Sequence, residues 1–309
     1  MAKKDKSKDK PKKGKDKDKG KGKGKGKGKD KAKAKAKDKK GKQHHGHTQA
    51  CQADKYVLYQ RSVQEPEADI EFMQKVFEDH FGRPARHLRE DFCAAANQAM
   101  QWIRQHPENE AWGVDLDPEP LAWGMAHNAK DLSPEQLGRL HLIEGNVLDS
   151  REPKVDIVTA QNFSYFIFKQ RELLLSYFKA ARAGLKDEGL FVVDLFGGPE
   201  AQQVQEEETD HDDFSYVWDQ DAYDPISNEI LCHIHFRFPD GSEQTKAFTY
   251  DWRLWTICEV RELMAEAGFS ASEAYWEGTD DDGEGNGEFT KTAKTENEDA
   301  WIAYVVGVA

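Results

Sequence analysis

Acidic and amide side chains follow five short apolar runs of the sequence, a spacing that could build one binding edge. They are Glu90 and Asp91, Asp115 and Asp117, Asn146, Gln161 and Asn162, and Asp194. Carboxylate and amide oxygens accept hydrogen bonds from hydroxyl and ammonium groups, so these residues could hold a polar ligand. Glu90 and Asp115 are 25 residues apart, close to the roughly 20-residue separation of loop and ribose-binding acid in dinucleotide folds.

The elements that must position these residues have a regular order. The apolar runs are short, rich in β-branched residues and separated by helical patterns, of which 67–81 and 169–185 are the clearest. This order predicts an α/β fold with a Rossmann-like, doubly wound, mostly parallel sheet. Ligands bind such sheets at the carboxyl ends of the strands. The predicted strands cover 86–91, 111–117, 140–149, 155–162 and 189–198.

Beyond Gly198 the residues alternate between polar and apolar, which predicts an antiparallel β insertion over about 205–255. A helix over 256–269 follows, with Thr256 as N-cap and Gly268 at its end. Two further strands are predicted at 270–278 and 299–309.

The acidic segment 278–289 has Asp282, Glu284 and Asn286 at the offsets of a calcium-binding loop. The twelfth position is Ala293, whereas such a loop needs a bidentate glutamate there. We therefore interpret the segment as a hydrated acidic loop and predict no bound metal.

The order of elements resembles that of class I S-adenosylmethionine-dependent methyltransferases over about residues 85–309. HLREDFCAAA lies where that family has its first motif, an acid at the end of strand one followed by a glycine-rich loop. GVDLDPEPLAWG resembles the second motif, EGNVLD the third, AQNFSYFIF the fourth, and LKDEGLFVVDLF the strand that follows. REDFC, NFSYF, YDWRLWT and YWEG are similar to a bacterial subgroup of methyltransferase-like proteins, which indicates no substrate.

The resemblance implies that S-adenosylmethionine binds at the strand ends. Glu90 takes the place of the first-motif acid, and Asp115 takes the place of the acid that binds both ribose hydroxyls. Asn146 and Val147 would flank the adenine. The resemblance also assigns to the cofactor Phe92, Cys93, Ala94, Leu116 and Gln161.

Purely structural roles remain open for both acids. Asp115 could stabilise the N-terminus of the next helix, although Asp117 is better placed for that role. Glu90 could instead pair with Arg89 or Arg104.

The first motif departs from the family at its glycines, because Cys93, Ala94, Ala95 and Ala96 stand where CGTG is usual. Glycine is needed where the backbone adopts positive φ or where a ligand touches it. Alanine at such a position costs roughly 1 kcal/mol or more. The alanines therefore raise the hypothesis of weak cofactor binding.

The residues after the fourth strand correspond to positions that face the transferring methyl in methyltransferases. Asn162 could hold an acceptor nitrogen by a hydrogen bond, and Tyr165 is the second candidate catalytic residue. Phe163 and Trp252 could present aromatic faces to the substrate and the sulfonium cation. Alternatively, Trp252 and the other aromatic residues of YDWRLWT could form the core of the insertion.

Two other segments offer substrate contacts. Arg253 could pair with an acidic substrate group. Tyr59 and Gln64 could close over the pocket, or they could belong to a packed N-terminal segment.

Charge divides the chain into a tail and a body. Residues 1–50 hold 22 lysines and six aspartates, whereas 51–309 hold 22 basic and 51 acidic residues. We predict a disordered lysine-rich tail over 1–50 and one methyltransferase-like domain over 51–309. The tail could bind nucleic acid or another polyanion without specificity, fold back on the acidic body, or aid solubility.

The four cysteines form no CxxC pair, and no run approaches the ~18 apolar residues of a membrane span. We therefore expect a soluble, cytoplasmic protein. The sequence predicts methyl transfer from S-adenosylmethionine to an unidentified acceptor, a small molecule because the body is acidic. One alternative is a weak or inactive methyltransferase-like protein whose basic tail docks on a polyanion. Another is a nicotinamide enzyme, against which the missing GxGxxG counts.

Overall fold

The structure is a computed structural model, and it describes residues 47–280 and 285–309. Most of the predicted lysine-rich tail therefore lies outside the described residues. The predicted tail boundary at residue 50 is too late, because the first helix begins at Gln49. The amides of Gln49 and Ala50 donate to the side chains of Asp240 and Ser242, which fixes this helix to the body.

The described part of the chain contains twelve strands and eight α-helices. The strands are β1 His87–Asp91, β2 Glu110–Asp115, β3 Leu140–Glu144, β4 Val155–Ala160, β5 Leu185–Gly197, β6 Gln205–Asp210, β7 Ser215–Asp224, β8 Glu229–Arg237, β9 Glu243–Arg253, β10 Ala271–Thr279, β11 Gly285–Lys291 and β12 Trp301–Val308. The helices are α1 Gln49–Gln52, α2 Lys55–Val63, α3 Pro66–Phe81, α4 Asn97–Gln105, α5 Pro118–His127, α6 Pro134–Leu137, α7 Arg171–Ala183 and α8 Ile257–Ala267. Single-turn 3₁₀ helices lie at Ser164–Ile167 and Pro199–Gln202.

Eight of the strands form one sheet in the order β11-β10-β12-β5-β4-β1-β2-β3. β1 to β5 are parallel to one another, and β10 to β12 are antiparallel to their neighbours. The chain order reverses between β1 and β4, which creates the switch point where ligands bind such sheets. The predicted Rossmann-like, doubly wound, mostly parallel sheet is confirmed.

Capping residues explain where two of the helices that flank the sheet begin and end. α3 ends at Gly82, whose φ of 67° is readily adopted by glycine. The Thr256 hydroxyl accepts from the amide of Glu259, and the Glu259 carboxylate accepts from the amide of Thr256. This reciprocal pair starts α8 as the sequence predicted.

The prediction of a hydrated acidic loop over 278–289 is wrong for its second half, which forms β11. This strand pairs with β10, with Glu277 opposite Phe289, and the Phe289 ring centroid lies 4.4 Å from that of Tyr304. Glycine and acidic residues have low β propensity. The pattern therefore could not show a strand that depends on pairing with β10. Positions 281–284, which include two of the candidate calcium ligands, lie outside the described residues.

β6 to β9 form a second, antiparallel sheet in chain order, so the predicted antiparallel insertion is present. Its Trp252 ring lies 6.4 Å from Phe163 and 5.9 Å from Phe166, measured between centroids. These contacts pack the second sheet against the segment that follows β4. No helix within residues 47–280 and 285–309 combines the length and apolar character needed to cross a membrane.

Candidate functional site

The carboxyl ends of β1, β2 and β3 are joined by backbone hydrogen bonds. The Cys93 amide donates to the carbonyl of Val114 at 3.1 Å, and the Gly145 amide donates to that of Asp115 at 2.8 Å. The loop after β1 therefore crosses to the end of β2, and the loop after β3 is tied to the same point. The polar residues predicted at these strand ends thus share one edge of the sheet.

The loop between β1 and α4 has three residues with left-handed backbone. Phe92, Ala94 and Ala96 have φ of 58°, 45° and 52°, and a non-glycine residue there costs roughly 1–2 kcal/mol. The Ala94 amide donates to the Asp115 carboxylate at 2.8 Å, and the Ala96 amide donates to the Cys93 carbonyl at 2.7 Å. These bonds hold the left-handed backbone in the folded chain without any ligand. Cofactor binding therefore adds no backbone strain. Only the space filled by the methyl groups still argues for weak binding.

Glu90 caps α4 and does not pair with an arginine. Its carboxylate accepts from the Ala99 amide in the first turn of α4 at 2.8 Å, where Ala96 offers no capping side chain. Arg89 pairs with Asp91, and Arg104 donates to a backbone carbonyl. The arginine-partner interpretation of Glu90 is therefore wrong. Burial raises the pKa of the Glu90 carboxyl to about 8.

This raised pKa predicts that stability falls as the pH rises from 5 to 8. The folded state keeps a proton on Glu90 until about pH 8, whereas the unfolded chain releases it near pH ~4.3. Between these values the folded state binds more protons, so folding becomes less favourable with increasing pH. Glu90→Gln should flatten the decline of melting temperature across this range. Exposed Glu78 offers the control variant Glu78→Gln. An unchanged decline in Glu90→Gln would contradict the prediction.

Asp115 holds the loop and keeps acceptor capacity for a ligand. One carboxylate oxygen accepts from the Ala94 amide, and the other accepts from the Asp117 amide at 2.9 Å. The cap of α5 is Asp117, whose side chain accepts from the Glu119 amide. The helix-terminal role therefore belongs to Asp117. Each Asp115 oxygen has a second lone pair for a further donor.

The other residues assigned to the cofactor differ in what they present. Leu116 is 67% exposed beside Asp115, whereas the side chains of Cys93 and Val147 are buried at 3% and 4% exposure. The latter two could touch a ligand only through their main chains. Phe92 is half-buried and packs with ring centroids 5.4 Å apart on Tyr177.

The turns after β3 and β4 are held by local hydrogen bonds. The Asn146 side-chain oxygen accepts from the Leu148 amide at 3.0 Å. After β4, Asn162 and Phe163 both have positive φ, 56° and 58°. Their amides donate to the two carboxylate oxygens of Asp194 at 2.7 and 2.9 Å. Buried Asp194 therefore fixes an otherwise unfavourable turn.

A cavity of 1010 Å³ lies between the ends of β4, β5 and β12, the inner face of the second sheet, and α2. Of the residues predicted from sequence, its walls include Tyr59, Gln161, Asn162, Phe163 and Trp252. Asn162 is tied to α2 by a hydrogen bond from its side-chain amide to the Val63 carbonyl at 3.2 Å.

Three of the residues predicted for catalysis or substrate binding lie outside the walls of this cavity. Tyr165 is fully buried in the core, because the 3₁₀ turn directs it inward. Gln64 accepts from the Asn97 side chain at 3.2 Å. Arg253 lies 3.8 Å above the Trp255 ring centroid and donates to the Glu259 carboxylate at 3.1 Å, so its guanidinium already serves to join β9 to α8.

The sequence interpretation missed several cavity residues. Asp69 comes from the polar flank of α3, Glu277 from β10, and Trp218 from β7. Asp194 was recognised only as a strand-end residue. The apolar run that precedes Asp194 was its one signal in the sequence. Acidic residues on a helix flank or in a polar strand, such as Asp69 and Glu277, look solvated in sequence.

Solved structures share this fold at low sequence identity. An S-adenosylmethionine-dependent methyltransferase from Clostridium acetobutylicum is 17% identical with a TM-score of 0.60, covering 82% of this chain and 97% of its own. SAM-bound CalS10, an amino pentose methyltransferase from Micromonospora echinaspora, is 14% identical with a TM-score of 0.58, covering 85% of this chain and 100% of its own. The sugar N-methyltransferase KedS8 from Streptoalloteichus is 17% identical with a TM-score of 0.54, covering 83% of this chain and 92% of its own. No protein-family profile matches the chain, and no curated protein matches it by sequence.

The chain therefore has the class I S-adenosylmethionine-dependent methyltransferase fold, with an antiparallel sheet packed beside its carboxyl edge. The resemblance inferred from the motifs is confirmed at the level of the fold.

Proposed function

We propose that the protein transfers a methyl group from S-adenosylmethionine to a small-molecule acceptor. The observation that carries this proposal is the position of Gln161 and Asn162. They directly follow β4 on the sheet edge that also carries Asp115, and they line the 1010 Å³ cavity. The polar strand ends and a cavity large enough for a small molecule are thus adjacent.

The residues at the strand ends fit the cofactor. Both oxygens of Asp115 retain a lone pair after accepting a backbone amide, so together they can accept from two vicinal hydroxyls. Exposed Leu116 offers an apolar surface to the adenine, and the main chain of Val147 would border its other side. In this proposal Glu90 shapes the loop through α4 and touches the cofactor little. When bound, S-adenosylmethionine supplies an electrophilic methyl group.

The acceptor side acts mainly by positioning. Methyl transfer is an in-line displacement, and a correctly oriented acceptor supplies much of the rate enhancement. Asn162 is immobilised by Asp194 and by the Val63 carbonyl, so it can orient an acceptor by a hydrogen bond. The rings of Phe163 and Trp252 would exclude water and stabilise positive charge near the reacting atoms.

The structural neighbours support a small acceptor. CalS10 is described as an amino pentose methyltransferase and KedS8 as a sugar N-methyltransferase. A monosaccharide-sized molecule is compatible with a cavity of 1010 Å³.

Calorimetric titration of the full chain with S-adenosylmethionine tests the proposal. We expect saturable one-to-one binding, and transfer of labelled methyl groups to a small-molecule extract. Absence of binding at millimolar cofactor would contradict the proposal. It would support the alternative of an inactive methyltransferase-like binding protein.

A further inference from the structure

The cavity beside β4 has acidic walls without a basic counterpart. Eight of its lining residues are aspartate or glutamate, and its walls, as far as the described residues form them, contain no lysine, arginine or histidine. Carboxylates elsewhere in the body do find cations. Arg237, for example, pairs with Glu206 and Glu208 on the second sheet. The described walls of the cavity contain no such cation.

Three of these carboxylates have neutral partners; Asp194 is buried, and Asp69 and Glu277 are half-buried. Asp69 accepts from the Tyr304 hydroxyl at 2.6 Å, and Asp194 accepts from two backbone amides. Glu277 accepts from the Gly287 amide at 3.0 Å. Burial raises the pKa of Asp69 to about 6 and that of Asp194 to about 7. Buried carboxylates without a cation are costly, and a cationic ligand would stabilise their ionised form.

Aromatic rings form the wall contributed by the second sheet. The Tyr250 and Trp252 rings stack with centroids 4.3 Å apart, and Trp218 lies 6.0 and 6.3 Å from them. All three line the cavity. Faces of tryptophan and tyrosine attract cations when water is excluded. Acids and aromatic rings on facing walls therefore favour the same kind of ligand.

We propose that the methyl acceptor is a small molecule carrying an amine that binds as an ammonium cation. This inference rests on the proposed methyltransferase function and specifies its substrate class. An acceptor bearing a phosphate or carboxylate would be repelled by the acidic walls, where no basic side chain could compensate. A neutral alcohol could donate a hydrogen bond to a carboxylate but would gain no attraction between opposite charges.

The chemistry is balanced for an amine. After the ammonium loses one proton to solvent, the nitrogen lone pair forms a bond to the methyl carbon. The carbon–sulfur bond of the sulfonium breaks, and its electron pair returns to sulfur. The products are the N-methylated ammonium, which takes over the positive charge of the sulfonium, and S-adenosylhomocysteine, whose sulfur is neutral.

Matched probes test the charge preference directly. Each set has one carbon skeleton: 2-phenylethylamine, 2-phenylethanol and phenylacetate, and D-glucosamine, D-glucose and D-glucuronate. In the first set the varied group is at one carbon, whereas in the sugar set the amine is at C2 and the carboxylate at C6. Binding to the full chain is measured by calorimetry with S-adenosylhomocysteine present, and methyl transfer is measured with labelled cofactor. We expect the amine of at least one set to bind at least tenfold more tightly than its partners. Equal or tighter binding of the alcohol or carboxylate, or no binding of either amine, overturns the inference.

Two variants locate the effect in the cavity. Asp69→Asn and Glu277→Gln should each weaken amine binding about tenfold and leave cofactor affinity within twofold of wild type. Glu71→Gln, on the exposed face of the same helix as Asp69, is the matched control and should change neither. Loss of amine binding in the control, or unchanged binding in both cavity variants, contradicts the inference. Titration with S-adenosylmethionine distinguishes failure of the amine inference from failure of the methyltransferase proposal. Absence of cofactor binding rejects the methyltransferase proposal itself.

Discussion

Replacing Asp115 with alanine is expected to weaken binding of S-adenosylmethionine by about 100-fold. The substitution removes both acceptors for the ribose hydroxyls, and hydrogen bonds to a charged group contribute about 1.5 kcal/mol or more each. Two such bonds correspond to about two powers of ten in affinity. The Ala94 amide also loses its partner, which frees a loop with three left-handed residues. Calorimetric titration of the full chain measures the change.

Two further variants separate ligand contact from loop support. Asp115→Asn keeps one acceptor oxygen and nearly the same shape, so its affinity should fall by only about tenfold. Asp131→Asn changes an exposed acid beyond α5 and should bind like wild type. Affinity of Asp115→Ala within threefold of wild type would mean that this acid serves only the backbone of the loop.

The parallel part of the sheet could be predicted from the sequence, whereas one of its edge strands could not. β4 is buried at every position and β5 over most of its length, so both contain runs rich in apolar, β-branched residues. β11 has only one half-buried residue, Phe289. Its pairing with β10 is a long-range main-chain interaction, which leaves no period in the sequence.

The strand-end half of the site was predictable for the same reason. A residue that follows a buried strand must lie at the sheet edge, so Asp115 and Asn162 could be located without coordinates. The acceptor half depends on side-chain direction. Trp252 faces the cavity and Arg253, its neighbour, faces away, as strand alternation requires. The alternation along β9 separates its two faces but does not show which face lies on the cavity. Asp69 could not be identified, because an acid on a helix flank is normally solvated.

Replacing Arg89 with methionine is expected to lower the free energy of unfolding by about 4 kcal/mol. The Arg89 guanidinium donates two hydrogen bonds to the Asp91 carboxylate, at 2.8 and 3.0 Å, and a third to the Ser150 carbonyl at 2.7 Å. Both side chains are buried, with 1% exposure. Without its partner, Asp91 would remain as a buried charge supported only by the Tyr177 hydroxyl. Such a charge is far more costly than the pair is favourable.

A double-mutant cycle distinguishes this explanation from a general loss of packing. Arg89→Met with Asp91→Leu removes the charge that the single variant leaves behind, so it should recover at least half of the lost stability. Arg61→Met breaks an exposed ion pair with Asp213 and should hardly change the urea midpoint. A double variant no more stable than Arg89→Met would show that the arginine acts through its volume or through Ser150. In that case the link between β1 and the loop after β3 would depend on the Arg89 guanidinium and not on its ion pair with Asp91. If the cycle behaves as expected, the buried pair itself fixes the end of β1, from which Glu90 caps α4 and the loop to α4 departs.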